Sequence, residues 1–255
     1  MTSQLDALIF DVDGTLAETE EAHRDAFNRA FQEAGESWHW DRALYGRLLK
    51  VGGGKERLHH FLEQFHPERL VDAVAADRMI RALHARKTEL YGELVGELDL
   101  RPGIGRLIAE ARSAGLKLAM ATTTSRVNVE GLLRNSPEGV SLDLFDAVAT
   151  GEDAPVKKPD PMVYHAALDG LGLPPERCMA LEDAVIGVKA AGNAGVPVLV
   201  TESAYTEGED FSGAVAVLSD LGTETAPFTQ RDGTPAAQGV VDLAMLRRWH
   251  AEAVA

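Results

Sequence analysis

Cysteine is nearly absent: Cys178 stands alone in 255 residues, which excludes an internal disulfide and any Cys-rich metal cage. The thiol sits in an apolar run and reads as packed, so a reducing compartment, the cytoplasm, is the expected setting. Positive charge is also scarce, with 25 Lys and Arg against 40 Asp and Glu and a formal net charge of −15. Such a chain repels both nucleic acid and the anionic face of a membrane, so neither is an expected partner. No apolar run approaches the ~18 residues of a membrane span, and Met1 to Asp6 lacks the basic and apolar regions of a signal peptide. What is present is 45% hydrophobic and 25% charged residues, enough for one large globular unit or a core with a smaller appendage, expected as a monomer.

Short apolar runs alternate with helix-length amphipathic segments. Ala7 to Phe10, Leu116 to Ala121, Ala147 to Ala149, Met179 to Leu181 and Val196 to Val200 read as buried strands of a parallel sheet. Between them, helices are expected over Ile104 to Ala114, Pro161 to Leu171 and Val185 to Ala194, closed by Gly115, Gly172 and Gly195. The alternation predicts an α/β fold with a doubly wound parallel sheet. From Glu18 to Glu97 only helical periodicity occurs, as in Ala22, Ala26, Phe27, Ala30 and Phe31, which predicts an inserted helical-bundle cap over residues 18–97 and a core of residues 1–17 and 98–255. The stretch from Thr223 to Gly239, rich in Thr, Pro, Gly and Gln, reads as loop, and Val240 to Ala253 as a closing helix.

In an open α/β sheet, ligands bind beyond the carboxyl ends of the strands. The first strand delivers Asp11-Val12-Asp13-Gly14-Thr15 there, the second Thr122 to Ser125, the segment after the third Lys157-Lys158-Pro159, and the fourth Glu182-Asp183. Each piece alone has an ordinary use, as a turn, a helix cap or solvated charge. Their joint arrival is different, because carboxylates converging from two strand ends repel one another unless a cation sits among them. Hard oxygen ligands without His or Cys favour Mg²⁺. Hydroxyls and amides near a helix start can hold phosphoryl oxygens, a lysine can offset the remaining charge, and a carboxylate can act as a nucleophile.

These residues, in this order, resemble the four signature motifs of the haloacid dehalogenase superfamily of phosphatases and phosphomutases. The place of the helical insertion resembles the β-phosphoglucomutase-like subfamily. Asp11 to His23, Gly53-Gly54-Lys55-Glu56-Arg57, Trp38-His39-Trp40-Asp41 with Tyr45, and Ala121 to Ser125 are similar to CbbY-type sugar-bisphosphate phosphatases. The resemblance implies that Asp11 attacks phosphorus and that Asp13 protonates the leaving oxygen and then activates water. It implies that Mg²⁺ is held by the carboxylates of Asp11 and Asp183, the backbone carbonyl of Asp13, and Glu182 directly or through water. Thr122, the Thr123 amide and Lys158 would grip the transferring phosphoryl group; Lys157 competes for that role, but the family's lysine precedes the proline.

The resemblance also implies that substrate is read from Glu20, His23, Tyr45, Gly54, Lys55 and Arg57, with Lys55 or Arg57 meeting a second phosphate, and from Thr124, Ser125 and Asn128. His23 equally suits a packed core position beside Phe27 and Ala30. Ala184 stands where many relatives have Ser, which leaves metal binding intact. The implied activity is removal of one phosphate from a small sugar bisphosphate such as xylulose 1,5-bisphosphate, with a phosphomutase using the same covalent intermediate as the alternative.

Overall fold

The computed structural model describes residues 4–134, 136, 138–236 and 239–255. A seven-stranded sheet runs in the order β3-β2-β1-β4-β5-β6-β7. Its strands are β1 (Ala7–Phe10), β2 (Lys117–Ala121), β3 (Ala147–Ala149), β4 (Cys178–Glu182), β5 (Val198–Thr201), β6 (Ala216–Leu218) and β7 (Gln230–Gly233). Every pair is parallel except β6 with β7. β1 lies between β2 and β4, so the strand order turns there and opens a crevice beyond its carboxyl end.

The two faces of the sheet differ in bulk. Leu8, Phe10, Leu118, Met120, Met179 and Leu181 point into the larger apolar cluster, which α5 (Ile104–Ser113) and α9 (Leu243–Ala253) help to fill. The alternate residues, Ala7, Ile9, Ala119, Ala121 and Ala180, are smaller and pack against α7 (Met162–Leu171) and α8 (Val185–Asn193). β1 is buried at all four positions, which is why it reads as a continuous apolar run. Burial also pushes the Cys178 thiol, at the start of β4, up to about 12, as suits a packed group that stays protonated.

Between β1 and α5 the described residues form no strand. They form α1 (Glu20–Glu33), α2 (Arg42–Leu48), α3 (Gly54–Phe65) and α4 (Ala73–Leu94). Asp41 caps α2 by accepting from the Leu44 amide at 2.7 Å, and Asp72 caps α4 through Val74 and Ala75. Thr19 occupies the equivalent place before α1 but makes no side-chain cap, because its hydroxyl is used elsewhere. Aromatic residues concentrate here: Phe27, Phe31, Trp38, Trp40, Tyr45 and Phe61 form a third cluster, with Phe27 and Trp40 centroids 4.6 Å apart. α1 and α4 pack together and also give Ala26, Ala30, Leu90 and Tyr91 to the larger cluster beneath the sheet.

The helices predicted over Ile104 to Ala114, Pro161 to Leu171 and Val185 to Ala194 are present, each ending within two residues of the expected glycine. The stretch from Thr223 to Gly239 departs from its reading as loop, since it contains β7; residues 237–238 of it lie outside the described residues. β7 is a four-residue edge strand, largely exposed, so it carries no apolar alternation from which to read it. β6 was likewise not expected, being only three residues long. Among the described residues no helix is long and apolar enough to cross a membrane. The closing helix, α9, buries Leu243, Leu246 and Trp249. Trp249→Ala is expected to cost about 3–5 kcal/mol of stability in urea denaturation; a loss below about 1 kcal/mol would show that this helix does not belong to the core.

Candidate active site

The ends of β1, β2 and β4 and the segment after β3 meet at one cavity of about 510 Å³, whose opposite wall comes from α1, α3 and α4. Asp11 ends β1 and is buried, as are Glu182 and Asp183 after β4. Ligand oxygens of these three carboxylates lie within 4.8 Å of one another. Gly14 makes the approach possible: its φ is +82°, and a Cβ there would lie 2.1 Å from Asp183 Oδ2.

Lys158 enters the cluster as its cation, with Nζ 2.7 Å from Asp11 Oδ1 and 2.6 Å from Glu182 Oε1. Burial alone would lower its pKa, but the two carboxylates hold it above the usual lysine range. Lys157 also lines the cavity, but its ammonium donates to the carbonyls of Gly151 and Ala154, so the geometry brings Lys158 and not Lys157 to the carboxylates. Tyr164, on α7, donates to the same Glu182 oxygen at 2.5 Å. Burial raises Asp11 to about 7 against the pull of Lys158, and raises Asp183 well above the carboxylate range with Asp11 adding to it. A buried all-oxygen cluster short of positive charge fits a hard divalent cation such as Mg²⁺.

Asp13 faces the other way. Its Oδ1 accepts from Thr19 Oγ1 at 2.5 Å and from His23 Nε2 at 3.0 Å. His23 Nδ1 in turn lies 2.5 Å from Lys87 Nζ, on α4. Lys87 is a donor, so it fixes His23 as the tautomer that accepts at Nδ1 and donates at Nε2. Burial would raise Asp13, but His23, Thr19 and Lys87 outweigh it and hold the carboxyl below the usual range. His23 itself is pushed down, first by burial and then by Lys87. Its ring stacks on Tyr91 with centroids 3.9 Å apart, so it is both a packed residue and a neighbour of Asp13.

Thr122 is buried at the end of β2, and its Oγ1 receives the Thr124 amide at 3.2 Å. Thr123, Thr124 and Ser125 line the cavity ahead of α6 (Arg126–Leu133), and Asn128 donates to Thr124 Oγ1 at 2.9 Å. Tyr45, expected to read substrate, does not line the cavity: it is buried behind the far wall, where it donates to Glu20 at 2.8 Å and receives Arg57 Nη1 at 2.9 Å. Arg57 is buried, whereas Lys55 is exposed at the rim. Gly54 also lines the cavity.

Lys87, Tyr164, Ser203 and Tyr205 were not predicted. Lys87 follows Ala76, Ile80 and Leu83 on the buried stripe of α4, and a lysine in phase with that stripe is a signal of a paired, buried charge. Tyr164 reads as an ordinary core aromatic. Ser203, which donates to Asp183, and Tyr205, whose hydroxyl meets Glu21 at 2.5 Å, follow β5, a strand end with no recognisable motif.

Residues 5–195 match the family described as haloacid dehalogenase-like hydrolase. The chain is 48% identical over 249 residues to "Protein CbbY, plasmid" of Cupriavidus necator, covering 96% of this chain and 97% of that one. A crystal structure of a CbbY variant from Rhodobacter sphaeroides in complex with xylulose-(1,5)bisphosphate is similar at 44% identity and a TM-score of 0.77, covering 87% of this chain and 98% of that one. A β-phosphoglucomutase from Clostridium difficile shares the fold, with 22% identity, a TM-score of 0.74, and 97% and 98% of the two chains covered.

The raised Asp11 pKa has a consequence for stability. At Asp11 the folded state holds a proton that the unfolded state has lost between about pH 4 and 7, so the Asp11 charge costs stability above that window and not below it. In EDTA, Asp11→Asn is therefore expected to gain Tm relative to the parent at pH 8, with the gain shrinking as the pH falls to 5. A difference independent of pH would contradict this placement.

Proposed function

The chain belongs to the haloacid dehalogenase-like hydrolase family, and from that premise we propose that it is a Mg²⁺-dependent phosphatase that removes one phosphate from a sugar bisphosphate, xylulose 1,5-bisphosphate first among candidates. The observation that carries this reading is the meeting of Asp11, Glu182, Asp183 and Lys158 on the floor of a cavity whose opposite wall holds Glu20 and Arg57, both bonded to the buried Tyr45. A volume of about 510 Å³ suits a small, elongated, doubly charged ligand. Further support comes from the similarity to the Rhodobacter sphaeroides protein solved with xylulose-(1,5)bisphosphate. In this reading residues 18–97 form a cap that closes over a core of residues 1–17 and 98–255.

An Asp11 oxygen attacks the phosphorus, and the bond from phosphorus to the sugar oxygen breaks. Asp13, ionised at rest, takes the proton of a monoprotonated substrate phosphate and passes it to that oxygen. Water then attacks the aspartyl-phosphate and gives a proton to Asp13, which yields it to the departing inorganic phosphate, so both aspartates return to their starting ionised states. The donors on Asp13 Oδ1 leave its second oxygen for these transfers and orient the carboxyl. Lys158 and the Thr122 to Thr124 turn hold the phosphoryl oxygens in place, which is most of what a loose phosphoryl-transfer transition state requires. Asp11, Glu182, Asp183 and the Asp13 carbonyl would hold Mg²⁺, which when bound supplies positive charge to the phosphoryl oxygens. Arg57, buried and fixed by Tyr45, meets the phosphate that does not react.

With Mg²⁺, phosphate release from xylulose 1,5-bisphosphate is expected at a kcat/KM at least about 100-fold above that of pentose monophosphates. A flat profile, or conversion of β-glucose 1-phosphate to glucose 6-phosphate with a bisphosphate primer, would overturn the assignment, the latter in favour of a phosphomutase. Arg57→Ala should raise KM for the bisphosphate by about tenfold or more, and for p-nitrophenyl phosphate by less than about threefold. Equal effects on the two would argue against a contact with the second phosphate.

A further inference from the structure

Gly54 has no conformational reason to be glycine. Its neighbour Gly53 has a φ of +90°, but Gly54 does not share the left-handed region and starts the regular helix α3. What excludes a side chain at Gly54 is His84: a Cβ there would lie 2.8 Å from both Cδ2 and Nε2 of the imidazole, with Phe27 Cζ next at 3.4 Å. The Nε2 edge of His84 thus fills the volume that a side chain at residue 54 would take, at the wall of the cavity. His84 lies on α4 about one turn before Lys87 and close enough to Lys55 and Arg57 to feel their charge.

Every charged or titratable group that acts on the ring has the wrong sign or none. Lys87 from its own helix, Lys55 and Arg57 from α3, and His23 from α1 oppose its protonation, and with burial, the largest cause, they push it down to about 3. Among the described residues the side chain makes no hydrogen bond, so its surroundings act on it through burial and charge alone. A neutral imidazole offers one N–H and one lone pair, a match for a hydroxyl or carbonyl oxygen and a poor one for a phosphate that Arg57 and Lys158 already serve.

Resting on the assignment of a sugar-phosphate substrate, we propose that His84 is a specificity residue that hydrogen-bonds an uncharged oxygen of the sugar chain between the two phosphates, and that Gly54 is glycine in order to admit its ring. The loss expected on removing it is that of one neutral hydrogen bond in a desolvated pocket, about tenfold in affinity.

The test is calorimetric binding in the Asp11→Asn background with Mg²⁺, with xylulose 1,5-bisphosphate and inorganic phosphate as separate probes. His84→Ala should weaken the bisphosphate by about tenfold and inorganic phosphate by less than about twofold. His84→Gln, whose amide also offers a donor and an acceptor, should recover the bisphosphate to within about threefold. Gly54→Ala should reproduce the loss by displacing the ring, and should add little once His84 is already Ala. Unchanged bisphosphate affinity in His84→Ala, an equal loss for inorganic phosphate, or additive effects of the Gly54 and His84 changes would each overturn the proposal. Should the protein with His84 in place bind the bisphosphate no better than phosphate, the substrate assignment fails by itself. The same variants are then scored on the sugar phosphate that a release screen ranks first.

Discussion

Three carboxylates buried within 4.8 Å of one another are the constraint on which the rest of this molecule depends. Two unit charges about 4 Å apart interact by about 4 kcal/mol at an effective dielectric near 20. Asp11, Glu182 and Asp183 make three like pairs, while Lys158 contacts two of them, so the cluster remains short of positive charge even before desolvation is counted. Burial raises the Asp11 and Asp183 carboxyls, with neighbouring carboxylates adding to it, and a divalent cation would offset both effects. The net charge of −15 is therefore no obstacle to an anionic ligand. Part of it builds the cation site, and the positive groups that remain nearby, Lys158, Arg57 and Lys55, are placed along one cavity.

Holding such a cluster requires a rigid frame, and the parallel sheet provides it. β1 and β4 are adjacent and buried throughout, so Asp11 and Glu182 leave the sheet side by side with little freedom. The chain segments that lead into and out of the helical block are tied to the same frame. Arg101, buried in the second of them, donates to the carbonyls of Gly14, Thr201, Glu202 and Ser219, and its Nε lies 3.3 Å from Glu18 in the first. One guanidinium thus joins both connections to the loop that carries Asp13 and to the ends of β5 and β6. Thr19 completes the link, since the hydroxyl that would cap α1 is bound to Asp13 instead.

The strand ends were legible in the sequence because each buried run stops abruptly at polar residues, and a parallel sheet places such stops at one edge. Asp11, Asp13, Thr122, Lys158, Glu182 and Asp183 follow from that pattern together with the family likeness. The helical block was legible as a missing alternation, a change of period from two to 3.6. Lys87 escaped notice because a single lysine in a helix rich in charge looks like a solvated residue until its phase with Ile80 and Leu83 is examined. Tyr164 and His84 escaped because an aromatic or a histidine in a helix is ordinary, and only contacts distant in sequence give them a role. β6 and β7 escaped because a strand of three or four residues at the sheet edge is fixed by pairing rather than by its own pattern.

The central claim is that Asp11 is the nucleophile of this cluster. Acid quenching of the protein during turnover of its sugar bisphosphate with Mg²⁺, followed by peptide mass spectrometry, tests it directly. The account predicts one phosphoryl group on the peptide that contains Asp11, located on Asp11 itself and absent without substrate. Rapid phosphate release with no phosphoryl group on Asp11 at any quench time, or with the group on a different residue, would contradict it.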